Sequence, residues 1–246
     1  MELENQPGYE ENVLVRAEDL QISRALTFLL DDPRWWLKML IGALFMLASI
    51  LVVPYFFVLG YQIAIIRAVA AGNDAALPEW DDLGRKFKDG ASVFLVGLVY
   101  GLPMYAALAA VVVLGIMVGT PSGGSGHGFV MGIAFLGFAL GWLIVVVYAL
   151  LLRLVSPAFN GIYARTGSIR QALQPGLVIG LVKADFKAYL LVLLMTAFVT
   201  STIAFVGVFA CCLGMLVTTF YAAVVNAHLI GQLTRLNPVG ENVHAG

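Results

Sequence analysis

The chain has 246 residues, of which 61% are hydrophobic and 12% charged, with a formal net charge of −1. A soluble domain of this size is about 45–50% apolar and about 25% charged, so the composition excludes that class and places the chain in a membrane. A balance this near neutrality supplies no electrostatic pull on nucleic acid or on an acidic partner, and no nucleic-acid partner is expected.

Residues 1–34 are read as a cytoplasmic N-terminal segment. It is polar, with Glu2, Glu4, Glu10 and Glu11 near its start. It lacks the order of basic, apolar and small residues that marks a cleavable signal. Leu20, Leu26, Leu29 and Leu30 share a helical face and predict an amphipathic helix. Asp32 and Pro33 then suit the cap and first position of a new helix, and Trp35 and Trp36 stand where an aromatic belt meets the interface.

Three runs carry no Asp, Glu, Lys or Arg: 39–66, 90–152 and 188–234. A bilayer core of about 30 Å needs about 20 apolar residues per helix, so the second and third runs each hold two crossings. In the first, Pro54 is the natural corner of a hairpin over 35–72. The competing reading is one helix kinked at Pro54, which gives five crossings and an external N-terminus.

The connector LPEWDDLGRKFKDG packs seven charges into fourteen positions. Pro78 and the acids Glu79, Asp81 and Asp82 suit a helix start, while Arg85, Lys86 and Lys88 suit its last turn before Gly90. Trp80, Leu83 and Phe87 form one apolar stripe. The expectation is a short interfacial amphipathic helix with Trp80 and Phe87 dipping inward and Arg85, Lys86 and Lys88 as anchors.

The next run is broken by TPSGGSGHG, which contains no Lys or Arg and reads as an external turn. Its GGSG at 123–126, with His127, matches a pattern around the serine of intramembrane proteases. His228 and His244 fall at the opposite side of the membrane, out of reach of Ser125 as a base. Gly97 with Gly101, Gly115 with Gly119, and Gly137 with Gly141 recur at a spacing of four, which lets helix backbones approach closely.

The second connector offers a further helix start at Ser168, with Ile169 and Leu173 on one face. Cys211 and Cys212 are neighbours in an apolar run, a poor geometry for a disulfide, and read as small apolar residues. Residues 234–246 are read as a flexible cytoplasmic tail.

All fourteen basic residues lie in four places. These are the N-terminal segment (Arg16, Arg24, Arg34, Lys38), the first connector (Arg67, Arg85, Lys86, Lys88), the second (Arg153, Arg165, Arg170, Lys183, Lys187) and Arg235. Short cytoplasmic loops concentrate Lys and Arg. The fold expected is an all-α polytopic transmembrane bundle of about six crossings, as three hairpins over 35–72, 90–152 and 187–233, with interfacial amphipathic helices. Residues 35–233 form its single transmembrane domain, with both termini on the cytoplasmic side of the cell membrane.

At IGALFMLASILVVPYFFVLGYQIAIIRAVAAG, followed by LPEWDD, LGRKFKDG and LVGLVYGLP, the sequence resembles the domain of unknown function 4013 family. Its members are uncharacterised polytopic membrane proteins of bacteria and archaea. The matching features are the Ile-Gly opening, Pro54, Gly60-Tyr61, Arg67 before a polar break, the Pro-Glu-aromatic-Asp-Asp cluster and Asp89-Gly90. The likeness is specific over 28–105 and looser beyond, and the extra Lys and Arg of LGRKFKDG depart from a more acidic pattern. It implies a membrane fold and brings no activity.

The uncharged runs hold no Asp, Glu, Lys or Arg of the kind that ion-coupled transporters place in their bundles. No metal-ligand spacing and no phosphate-binding loop is present. The sequence therefore predicts no catalytic, cofactor-binding or metal residues, and no enzyme. The leading expectation is a scaffold or accessory subunit whose partners are membrane lipids, other membrane subunits or a second copy. The alternative is a carrier of a small neutral or lipidic solute, passing along polar residues such as Asn160, Ser201, Thr218, Thr219, Asn226 and Gln232.

Overall fold

The computed structural model describes residues 20–73, 77–119, 127–209 and 211–237, with side chains described outside 117–131 and 203–213. Among the described residues there is no strand. The helices are α1 (Ile22–Thr27, continued by a 3-10 turn Phe28–Asp31), α2 (Trp35–Ala48, continued by Ser49–Leu51), α3 (Val53–Ala70), α4 (Leu83–Gly119) and α5 (His127–Thr166). They are followed by α6 (Ile169–Ala172), α7 (Pro175–Ala184), α8 (Phe186–Phe209) and α9 (Cys211–Leu236). The chain divides into two compact units, one of residues 97–154 and one of the remainder.

The larger unit is organised around α9. Phe220, Val224, Val225, Ala227, Leu229, Ile230 and Leu233 are all buried, so this helix is apolar and covered on nearly every side. Helices α2, α3 and α8 pack on it, with α1 across its last turns. Helix α8 runs antiparallel to it: Thr196 Oγ1 donates to Asn226 Oδ1 (2.8 Å), and Asn237 Nδ2 to Asp185 Oδ2 (3.0 Å).

Helices α2 and α3 form a hairpin. Phe45 and Phe57 bring their ring centroids to 5.1 Å. Twelve residues along one straight helix would separate them by about 18 Å, which rules out the single kinked helix. The reversal is made at Val52, whose φ of +64° lies in the left-handed region, and Pro54 follows in the first turn of α3. The corner is thus two residues earlier than expected, with the proline starting the second leg.

Among the described residues, four helices are long and apolar enough to cross a membrane: Val53–Ala70, Leu83–Ile116, Gly132–Thr166 and Gly214–Leu236. A fifth is gained if 22–31 and 35–51, bent by 103°, count as one broken span. The expected six is more than this. Residues 35–51 rise only about 26 Å as an α-helix with a 3-10 end, short of a 30 Å core. Helix α8, Phe186–Phe209, is 24 residues long, about 36 Å, and its side chains are described as far as Thr202. The all-α membrane bundle itself stands.

In the smaller unit, α4 and α5 pair antiparallel. Tyr148 Oη donates to the Tyr100 carbonyl (2.8 Å), a Cβ on Gly141 would meet Val111, and one on Gly115 would meet Phe138. Only 11% of the apolar stretch of α4 and 6% of that of α5 is buried by protein, against 50% on α9. Leu102, Val113, Phe135 and Leu143 point outward, a surface suited to lipid tails.

Candidate functional site at the charged end of the helices

Within the larger unit, Lys38, Arg67 and Arg165, from three of the basic places of the sequence, join ion pairs and helix caps, and Arg165 reaches Thr234 beside Arg235. Lys38 Nζ is 2.6 Å from Asp32 Oδ2, 2.9 Å from Glu79 Oε1 and 2.8 Å from the Leu77 carbonyl. Asp32 also accepts from the amides of Arg34 (2.8 Å) and Leu77 (3.2 Å). Lys38 and Asp32 are 4% and 3% exposed, so this is a fully buried ion pair with its remaining polar valences filled.

Trp80 closes the same corner. Its Nε1 donates to the Lys38 carbonyl (3.0 Å), and its indole stacks on Tyr61 (4.2 Å) and Phe45 (5.0 Å). Tyr61 Oη in turn donates to the Pro78 carbonyl (3.0 Å). The stretch from Leu77 to Trp80 is therefore strapped across α2 and α3.

An acid response follows from this pair. Burial by itself would raise the Asp32 carboxyl, but the Lys38 ammonium and the Arg34 and Leu77 amides override it and hold the group below the usual carboxylate value. A folded value below the unfolded one means that the contribution is complete above about pH 4 and is lost as pH falls through the folded value. Thermal unfolding in detergent is expected to be insensitive to this group from pH 7 to about 5. It should weaken below about pH 4, with Asp32→Asn removing part of that fall.

The connectors are joined by a second network. Arg67 Nη1 contacts Asp89 Oδ2 (3.0 Å), Arg67 Nε donates to the Ala164 carbonyl (3.0 Å), and Tyr163 Oη donates to Asp89 Oδ1 (3.0 Å). Arg165 donates to the Thr234 carbonyl. Helices α3, α5 and α9 thus end together, and an arginine of one satisfies a terminal carbonyl of the next. Unpaired carbonyls and the negative dipole end at each C-terminus favour such cations. The N-terminal segment joins through Gln21, whose backbone N–H and C=O both bond the Gln232 carboxamide.

Two open cavities lie here. One of about 190 Å³ is lined by Gly60, Ala64 and Pro78 with the charged Asp81, Asp82, Arg85, Lys86 and Asp89. The other, of about 500 Å³, is lined by Arg67, Ala70, Ala71, Ala164, Arg165 and Thr166. Asp82, at φ +41°, caps α4 by accepting from the Arg85 amide (3.2 Å).

The expected interfacial helix at 78–89 is not a separate element. Helix α4 starts at Leu83 and runs on to Gly119, and of the connector's charges only Lys86 and Asp89 are buried in the fold. Lys86 is 6% exposed and bonds the Asp81 carbonyl (2.6 Å) and carboxylate (3.2 Å). Trp80 is half-buried in the aromatic stack, and Phe87 packs one side on Phe56 and Phe57 while 37% exposed. Trp35, Trp36, Arg85 and Lys88 are exposed. Ser168 does start a short helix, α6, accepting from the Gln171 amide.

Of the glycines singled out by spacing, Gly115 and Gly141 face the partner helix, and Gly137 has Leu114 at 4.0 Å. Gly101 is crowded only by Tyr105 of its own helix, and Gly97 has nothing within 4 Å. The environment of Gly119 lies outside the described side chains, as do those of His127, Cys211 and Cys212. The GGSG turn at 123–126 and residues 238–246 lie outside the described residues.

The closest backbone approaches are at glycines the spacing rule passed over. A Cβ on Gly60 would lie 1.8 Å from the Lys86 carbonyl oxygen, and one on Gly90 1.8 Å from that of Phe56. They belong to different helices, so no interval along the chain flags them.

Five of the polar residues offered as a path instead bond to helices, whereas Asn160 Oδ1 is buried with no hydrogen-bond partner among the described residues. Asn226 pairs with Thr196, Gln232 holds Gln21, and Ser201, Thr218 and Thr219 donate to carbonyls one turn back. Among the described residues, no group of three or more His, Cys, Asp or Glu is placed to hold a metal ion.

A family model described as a protein of unknown function, DUF4013, matches residues 43–213. This spans both units and reaches well beyond the 28–105 stretch that carried the resemblance in sequence. No curated protein and no solved structure matches the chain.

Proposed function

We propose that this chain, which belongs to the DUF4013 family of proteins of unknown function, serves as a non-enzymatic scaffold or accessory subunit of an assembly in the cell membrane. It is a multi-pass integral membrane protein, and the reading concerns its role there. The observation that carries it is the tying of Lys38, Arg67 and Arg165 to neighbouring segments by ion pairs and shared helix caps. A platform so fixed presents a constant surface, and Asn226 and Gln232 are spent on holding neighbouring segments together.

The excess of Lys and Arg favours the cytoplasmic side for this end, with both termini there. Trp35, Trp36 and the outer edge of Phe87 then meet the headgroup region. Lipids, other membrane subunits or a second copy are the partners that fit such a surface.

Two experiments test the reading. Membrane-impermeant labelling of intact cells should miss Lys88→Cys and Arg235→Cys and modify Ser125→Cys; the reverse pattern overturns the orientation. Gentle native purification should yield other membrane subunits or further copies of this chain in fixed stoichiometry. A lone protein that retains a small solute, and moves it across proteoliposomes, would replace the scaffold with a carrier.

A further inference from the structure

His228 is wholly buried on α9, with its ring 4.2 Å from that of Phe28 and its Nδ1 3.1 Å from Gln232 Nε2. The orientation of the Gln232 amide is fixed independently of the histidine. Its Oε1 accepts from the Gln21 amide (2.9 Å), and its Nε2 donates to the Gln21 carbonyl (3.1 Å). Turning the amide over would set donor against donor and acceptor against acceptor. Nε2 therefore presents its second N–H to the imidazole, and Nδ1 must accept it. Only the neutral ring with its proton on Nε2 allows this.

We infer that His228, Gln232 and Gln21 form a proton-sensitive latch, which holds the N-terminal helix α1 on α9 and releases it when the imidazole gains a proton on Nδ1. A protonated Nδ1 faces the Gln232 N–H at a wholly buried ring, and the chain of bonds to Gln21 cannot survive it. Beyond the latch, the hold on α1 is Tyr221 Oη to the Leu26 carbonyl (2.9 Å) and the burial of Leu20, Ala25, Phe28 and Leu29. Gln21 precedes α1, so the release begins at residues 20–27.

The charged and titratable groups on the surrounding elements do not compete in this range. Arg24 and Asp31 pair with each other on α1 and its turn. Lys38 of α2 pairs with Asp32, and Arg67 of α3 with Asp89. Asp185 and Lys187 stand at the start of α8, Arg235 lies on α9, and Tyr55, Tyr61, Tyr189 and Tyr221 complete the set among the described side chains. None of these types ordinarily titrates between pH 5 and 8, whereas an imidazole does.

The test is amide hydrogen exchange of residues 20–27 in the full-length protein, corrected for the intrinsic pH dependence of exchange. Protection is expected to fall by up to about tenfold per pH unit below about pH 6.5. His228→Asn, whose amide oxygen can take the place of Nδ1 without titrating, should keep protection high and flat across this range. Gln232→Leu should lower it about equally at pH 8 and pH 5.5. Flat protection in the wild type, or an unchanged pH response in His228→Asn, overturns the latch. Should His228→Asn fail to fold, nitrogen-15 histidine spectra of the otherwise native chain in a His127→Gln, His244→Gln background decide. A proton on Nε2 at pH 8 supports the latch, and a proton on Nδ1 overturns it.

Discussion

Lys38→Met is expected to destabilise the protein by about 3–5 kcal/mol, the range for removing one partner of a buried ion pair. The substitution keeps most of the side chain's volume, so the loss is electrostatic. Asp32, 3% exposed, would be left with amide donors and no counter-charge, while the Leu77 carbonyl loses its ammonium donor. Thermal unfolding in detergent reads the effect. The double variant Asp32→Asn, Lys38→Met should recover a large part of it, because the stranded charge is gone. Asp32→Asn alone should cost less than Lys38→Met, since Lys38 keeps Glu79 at 2.9 Å and the Leu77 carbonyl. If Lys38→Met alone costs under about 1 kcal/mol, the pair behaves as a solvated one, the range for surface ion pairs.

Gly60→Leu is expected to be as damaging by a different route. The crossing of α3 with the start of α4 is made by backbone on backbone, with Gly60 under the Lys86 carbonyl and Gly90 under that of Phe56. A Cβ at 1.8 Å from a carbonyl oxygen cannot be relieved by turning a side chain, so the helices must separate. Separation pulls on Arg67 with Asp89, the ion pair that bridges the two helices beside the crossing. Overpacking in a close-packed site costs about 1–3 kcal/mol or more. Gly60→Leu should reach the upper end or abolish accumulation of folded protein, and Gly60→Ala should already lower the thermal midpoint. Gly97→Ala is the control: nothing lies within 4 Å of its position, and the substitution should be neutral or slightly stabilising in a helix.

Much of the architecture was legible in the distribution of charge. A charged side chain in hydrocarbon is costly, so the runs 39–66, 90–152 and 188–234 had to be the membrane part, and the basic residues between them had to collect at helix ends. The joining of Lys38, Arg67 and Arg165 to ion pairs and helix caps is that reading realised. The number of crossings was less legible. Apolarity fixes that residues 35–51 enter the membrane region, but length and the bend before Trp35 fix how far they go.

The site was less legible than the fold. The connector LPEWDDLGRKFKDG has the stripe and the charge order of an interfacial helix, and local pattern offers no other interpretation. In the structure its first four residues are taken up by α2 and α3, through Tyr61, Lys38 and Phe45, and Lys86 turns inward. The pairing of Asp32 with Lys38 is six residues apart and the bonding of Arg67 to Ala164 is ninety-seven apart. Both depend on where other helices stand.

By itself, the sequence determined the class, the membrane runs and the gathering of charge at helix ends. All of these follow from transfer free energies that each residue carries wherever it is placed. Only the tertiary structure decided which charges are buried and paired, which glycines bear the closest crossing, and that His228 lies against Gln232. Those are properties of pairs, set at contact distance between segments far apart in the chain, and no residue carries them alone.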